Sequence, residues 1–259
     1  PGGPPLLVPL GGPDGRLLEV GADTGEVRRS IAIGHTPTDA VLGPAGKTAY
    51  VCNRFDNSVS IVDLESGSEK TTLSVLREPI AAALSPEGRY LFVANHLPAG
   101  AADAKYVSAS ISLIDTRKLR LVKNIRLPDG ATDLRDICMS PDGKHAYVTH
   151  LLAHYQLPTT QLERGWMNTN ALTILAVDRR KRVNTVLLDD VDLGAANPWG
   201  VACTDNGKYL CVTHAGTNEL SVIDRAALHR RLKAAENGRQ VTAFTDSPAD
   251  VPNDLSFMT

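Results

Sequence analysis

The sequence predicts an all-β fold of four-stranded antiparallel blades, a β-propeller, and three observations carry that prediction. One short apolar segment recurs: AYVCN ending at Asn53, LFVAN at Asn95, AYVTH at His150 and LCVTH at His214, each preceded at the same distance by a turn glycine, Gly46, Gly88, Gly143 and Gly207. Each is followed by a strand pattern that ends in aspartate, at Asp63, Asp115, Asp178 and Asp224, and a further strand pattern such as KTTLSVL or VKNIRL comes next. The 21 glycines and 16 prolines punctuate the chain throughout while aromatics make up only 5%, as expected where many short strands are joined by tight turns. Four strands at a period of about 40 to 50 residues is the arithmetic of one blade.

Each element has its own warrant. In Pro37 to Asp63, the plainest copy, DAVLG ends at the turn PAGK, TAYVCN at the loop RFDN and SVSIVD at the turn LESGS. Runs rich in Val, Ile and Tyr between Gly, Pro, Asn and Asp read as strands. With strands named a to d from axis to rim, PLLVPL, RLLEV and EVRRSIAIG supply b, c and d of a first blade that lacks its own a strand. PNDLSFM near the C-terminus reads as an a strand without a blade. The chain is thus one domain, 1–259, with blades near 1–34, 35–76, 77–130, 131–191 and 192–250, and 251–259 starting or closing a blade. It holds about five blades' worth of chain, either a closed ring or part of a longer propeller. After Asp224, RAALHRRLKAAENGR replaces the c-to-d connection. Asp224 is a candidate N-cap, Leu228 and Leu232 share a face, and Asn237-Gly238 is a stop signal, so a solvated surface helix opposite the long loops is expected.

Composition narrows the function. A hydrophobic content of 42% supplies a substantial core, and a net charge of -2 gives no general attraction to nucleic acid or an anionic membrane. No apolar run reaches the length of a membrane span. Cys52, Cys138, Cys203 and Cys211 lie inside apolar strand patterns and are expected as buried thiols. There is no CxxCH, hence no covalent c-type haem site, and no GxSxG, HExxH or phosphate-binding glycine loop.

The turn, the YVTN-like strand (AYVTH, AYVCN) and the SVID-like strand together resemble the YVTN β-propeller repeat family, over about Gly21 to Asp224. The resemblance implies a periplasmic or extracellular protein of the surface-layer kind, often joined to c-type cytochrome or di-haem peroxidase modules. Related propellers occur in lactonases and in nitrous oxide reductase, and since many members have seven blades the resemblance implies part of a seven-bladed propeller over a closed five-bladed ring.

The repeats differ from one another in a pattern. From the end of strand b to the aspartate ending strand c the count is 10 in the first and last full repeats, but 20 from Asn95 to Asp115 and 28 from His150 to Asp178. The surplus falls in two b-to-c loops, 96–108 and 151–169. In an antiparallel blade these loops share a face with the d-to-a connections, which carry His35, Asp133, Arg135, Asn197, Pro198 and Trp199. Loops on a rigid scaffold are where binding groups reside. The candidate binding face therefore comprises His35, Asn53, Arg54, Asn95, His96, Arg135, His150, His154, Tyr155, Arg164, Trp166, Trp199 and His214. A purely solvated loop has little reason to carry the apolar surface of LLAHYQLPTTQLERGWMNTN. It serves a ligand, plugs the blade through Leu151 and Trp166, or buries an interface with a partner domain.

His150 and His214 stand where the earlier repeats have Asn, and His96 lies one residue beyond that position. Either His replaces Asn as a hydrogen-bonding cap, since both offer a donor and an acceptor, or His150, His214 and His96 gather into a copper or zinc site. Asp63, Asp115, Asp178 and Asp224 precede turns and read as structural caps.

The leading expectation is a non-catalytic binding or scaffold module that docks a protein partner, or a further domain such as a cytochrome-like module, on the long-loop face. A histidine-lined metal or redox site is one alternative. A lactonase-type hydrolase recruiting Arg135, Asp133 and His150 is another.

Overall fold

The computed structural model describes residues 5–155 and 167–258, and among them the chain forms five antiparallel sheets of three or four strands, the blades of a β-propeller. By internal contacts it divides into two units, Pro1–Ala99 with Ser110–Asn124, and Gly100–Ala109 with Ile125–Thr259.

The first unit holds β1 (Leu6–Leu10), β2 (Arg16–Val20) and β3 (Val27–Ala32) in a three-stranded sheet, then β4 (Pro37–Leu42), β5 (Thr48–Asn53), β6 (Ser58–Asp63) and β7 (Ser68–Ser74) in sequence order. A third sheet joins β8 (Pro79–Leu84), β9 (Tyr90–Asn95), β10 (Ser110–Asp115) and β11 (Arg120–Arg126). The middle strands are buried almost throughout because both faces of each sheet are covered, which is why they read as unbroken apolar runs. Cys52, Val59, Leu91 and Val93 anchor one core; Leu17, Ala49, Val51 and Val62 anchor another. Each fully buried valine or leucine contributes about 1.5–3 kcal/mol.

The second unit contains β12 (Ala131–Met139), β13 (His145–Ala153), β14 (Asn168–Ala176) and β15 (Lys181–Leu187), followed by a three-stranded sheet of β16 (Pro198–Cys203), β17 (Tyr209–His214) and β18 (Glu219–Asp224). The predicted helix is α1, Arg225–Glu236, and the Asp224 carboxylate accepts the Ala227 N–H at 2.7 Å as its N-cap. The helix is less solvated than expected. Leu228, Leu232 and Ala235 enter one core with Tyr147, Leu172, Val212 and Phe257.

The terminal segment differs from expectation. Val251–Asn253 is a single 3₁₀ turn, and no strand forms between Pro252 and Met258. Pro252 brings no N–H to a ladder and suits the first turn of a helix. Asp254 fixes the residues after this turn by accepting the Thr245 hydroxyl at 2.6 Å and the Ser256 N–H at 2.9 Å, which seats Phe257 in the core.

Two devices recur in the blades. The residue before or near the start of each a strand lies in the left-handed region: Thr36 (φ 48°), Glu78 (56°), Asp133 (55°) and Asn197 (58°). The carbonyls of Thr36, Glu78 and Asn197 then accept the N–H just past the neighbouring b strand, from Arg54, His96 and Ala215. Three of the four cap aspartates act as expected: besides Asp224, Asp63 accepts from the N–H groups of Glu65 and Ser66, and Asp115 from those of Arg117 and Lys118. All four cysteines are free thiols, and burial pushes those of Cys52, Cys138 and Cys203 up.

Candidate functional site

The expected second loop is partly strand. β13 and β14 pair from His145↔Ala176 to Ala153↔Asn168, so residues 151–153 and 168–170 lengthen the hairpin beyond His150. Leu152 is buried, and its carbonyl accepts the Thr169 hydroxyl at 3.0 Å. Beyond Ala153 the chain turns, and Tyr155 donates its hydroxyl proton to Asp129 Oδ1 at 2.7 Å. The same oxygen accepts the N–H of Val107, from the first inserted loop, at 2.8 Å. One carboxylate thus ties both insertions to the connection that precedes β12. Beside it the Tyr106 hydroxyl donates to the Leu127 carbonyl at 2.6 Å, with the Arg126 guanidinium 4.7 Å from the Tyr106 ring. Gly130 is required here: its φ is 84°, and a Cβ would fall 2.0 Å from the Ala153 carbonyl oxygen. A cavity of about 350 Å³ opens at this junction, lined by Tyr106, Asp129, Leu152, His154, Arg182 and Asn184. Burial pushes the pKa of His154 down, and its Nε2 lies 3.3 Å from the Thr169 hydroxyl.

A second carboxylate holds the base of the same hairpin. Asp189, buried, accepts from the Asn170 N–H at 2.6 Å, the Asn170 side-chain amide at 2.7 Å and the Ala195 N–H at 2.6 Å, while Asn170 Oδ1 accepts from Asn197 N at 3.0 Å. The connection so fixed presents Trp199, half exposed, with the Arg135 guanidinium 4.4 Å from its ring and Arg135 in turn paired to Asp133 at 2.8 Å. Tyr155, Met167, Leu193 and Trp199 are 47, 51, 71 and 50% exposed at hairpin tips and connections of this unit.

In the first unit the corresponding end carries His35 edge-on to Phe55 at 5.3 Å, and Arg54 held by Glu78 through two bonds of 3.1 and 3.0 Å. Phe55 is exposed there, and His96 is buried.

The four b-strand ends share one role. Asn53 donates to the hydroxyls of Ser58 and Ser60, and Asn95 to the carbonyl of Ser110 and the hydroxyl of Ser112. His150 pairs its Nδ1 with the Leu151 carbonyl and its Nε2 with the Thr173 hydroxyl, both at 2.8 Å; His214 does the same with the Ala195 carbonyl and the Ser221 hydroxyl, again at 2.8 Å. All four are buried with their donors engaged, which takes them off the surface a partner touches in this conformation. Among the described residues no group of three or more His, Cys, Asp or Glu is placed to hold a metal ion.

The profile of the family described as "Lactonase, 7-bladed beta-propeller" matches residues 82–246, well over half of the chain. The chain belongs to this lactonase family of seven-bladed propellers. It is also similar to the hydrazine synthase subunit beta of Kuenenia stuttgartiensis, 33% identical over 118 residues, which are 46% of this chain and 30% of that protein. The matched stretch therefore spans under a third of that relative's length. Among solved structures, Kuenenia stuttgartiensis hydrazine synthase resembles it with a TM-score of 0.57 at 24% identity, covering 87% of this chain and 78% of that one, a likeness of fold.

In this lactonase-family propeller the structure brings together Arg135 with Trp199, and His154 and Tyr155 with the Asp129 junction. Arg164 and Trp166 lie outside the described residues. Asp129, Asn170 and Asp189 escape sequence reasoning, and only the proximity of Asp129 to the turn Gly130 gives any signal. Their importance comes from backbone donors far away in sequence.

Proposed function

We propose that the chain is a binding module that docks a protein partner on the hairpin tips and connections of its second unit. The observation that carries this reading is Trp199, which stays half exposed on a buttress of Arg135 and Asp133 while Tyr155, Met167 and Leu193 stand exposed on neighbouring segments. Exposed aromatics rigidly backed by an arginine are the usual anchors of an interface. The relative named as a subunit of hydrazine synthase supports an assembled state, and the resemblance to exported propellers supports a periplasmic or extracellular setting. The protein isolated under native conditions is expected to co-elute with its partner in size-exclusion chromatography, and Trp199→Ala with Tyr155→Ala to release it. A wild-type protein that runs alone at its own mass defeats the proposal.

The family match favours hydrolysis of a lactone as a second reading. The junction cavity supplies the chemistry such a reaction needs: His154 as a half-buried base beside Asp129, and Arg182 to steady a developing negative charge. His150, one of the three residues the sequence offered for such a reaction, is fully buried with both ring nitrogens engaged. A panel of lactones, assayed with wild type and His154→Ala, decides this reading: activity lost in the variant upholds it, and inactivity of the wild type ends it.

A further inference from the structure

A second cavity, of about 310 Å³, lies between β15 and α1 and shares Arg182, Asn184 and Pro248 with the first. Its charge is lopsided. Arg179, Lys181, Arg182 and Lys233 line it against a single carboxylate, Glu236. Arg179 has a long, exposed contact with Asp178 at 3.9 Å, whereas Lys181, Arg182 and Lys233 have no ion pair among the described residues. Cations collected in a concave site without counter-charge raise the local concentration of anions.

The floor adds two features. The rings of His145 and His229 lie in contact, tilted by 40° with centroids 4.2 Å apart, and His229 Nε2 is 2.8 Å from the Tyr147 hydroxyl. His145 Nδ1 is enclosed yet has no hydrogen-bond partner among the described residues, an omission that calls for a ligand or water atom. Beside these groups the lining mixes apolar side chains, Val183, Leu232 and Pro248, with the amide of Asn184. A bare inorganic oxyanion leaves such a surface unmatched. A short hydrocarbon frame bearing two or more carboxylates meets the cations and the apolar side chains together.

We propose that this cavity binds a small polyvalent carboxylate, with Lys181 and Arg182 holding one end and Lys233 the other. The site is separate in its residues from Trp199 and Tyr155, so it stands or falls apart from the docking proposal. Calorimetric titration of the full chain with citrate at pH 7 and constant ionic strength, with succinate and inorganic phosphate as comparators, tests it. One saturable site is expected, with Kd on the order of 0.1–1 mM and with the His145 and His229 ring resonances moving in step. Arg182→Gln and Lys233→Gln are each expected to weaken citrate about tenfold, the loss of one charge-assisted contact. Both side chains are exposed, and unchanged circular dichroism and melting confirm folding. Trp199→Ala should leave citrate binding as it is. The proposal is overturned by heats that never saturate, by phosphate binding as tightly as citrate, or by variants that bind like wild type.

Discussion

The imidazole of His150 pairs with the Thr173 hydroxyl, and in the neutral ring the Leu151 carbonyl sets the proton order of that network. The Leu151 carbonyl can only accept, so Nδ1, 2.8 Å away, carries the proton and Nε2 is bare. Nε2 takes the Thr173 proton at 2.8 Å, and Thr173 Oγ1 accepts in turn from Thr185 at 2.7 Å. Burial lowers the His150 pKa from the ordinary 6.5 to about 4, which keeps the ring neutral near pH 7 and so fixes this order. Between those values the unfolded chain binds a proton that the folded chain refuses. Stability from this group is complete above pH 6.5 and is lost as pH falls toward 4, on the order of 3 kcal/mol over the window. Urea unfolding at pH 7.5 and 4.5 should show the fall, and His150→Asn, which restores the residue of earlier blades, should make it shallower, the remainder coming from His229, whose pKa burial also lowers to about 4. An equal slope in the variant refutes the assignment.

Inter-strand ties by aspartate give a second expectation. Asp136 accepts from Ile137 N with one oxygen and from Val201 N, in the next blade, with the other, both at 2.8 Å. Asp39 repeats the arrangement with Ala40 N at 2.8 Å and Ala82 N at 2.7 Å. Asp136→Ala leaves Val201 N–H without its partner and is expected to destabilise by about 1–3 kcal/mol. The measurement is the denaturation midpoint, with amide exchange at Val201 as the local check. Unchanged protection at Val201 contradicts the tie.

How much of the molecule is legible in its sequence depends on the range of the interaction. The strands, the cap aspartates and α1 rest on neighbours within a few residues, so the turn glycines, Asp63 and Asp224 announce them. The role of His150 can be guessed from alignment with Asn53, because both end strand b and reach a hydroxyl two residues past their register partner on strand c, Thr173 and Ser60. Asp129 and Asp189 carry no comparable mark, since their partners Val107, Tyr155 and Asn170 lie about 20 residues or more away. PNDLSFM misleads because Leu255 and Phe257 alternate like a strand, while Pro252 and the hydroxyl ligands of Asp254 favour a compact turn.

The junction of the insertions should respond to Gly130 more than to Tyr155. Tyr155→Phe removes one partly exposed hydrogen bond and is expected to lower stability by about 0.5–1 kcal/mol. Gly130→Ala forces a Cβ against the Ala153 carbonyl at a left-handed position, which no rotamer relieves. A loss of more than about 2 kcal/mol is expected, with faster amide exchange at Val107 and Ala153, whose N–H bonds the junction holds. If the glycine variant melts with wild type, the close approach at this junction is not a constraint.

The terminal segment offers the last test, because one carboxylate organises the turn that seats Phe257 in the core. Asp254 accepts from the hydroxyls of Thr242, Thr245 and Ser256 and from Ser256 N–H. Burial opposes ionisation, but these donors outweigh it and hold the carboxyl below its ordinary 3.8. Its contribution is accordingly present above pH 3.8 and lost as pH drops through the lower folded value. Asp254→Ala strands three hydroxyls and frees the turn that seats Phe257 beside Tyr147, Leu228 and Leu232. Limited proteolysis should then cut the variant near its C-terminus at a concentration of protease that leaves wild type intact, and Phe257→Ala should reproduce the effect with a cavity loss of about 3–5 kcal/mol. Resistance in both variants means that α1 keeps its place in the core without the segment after it.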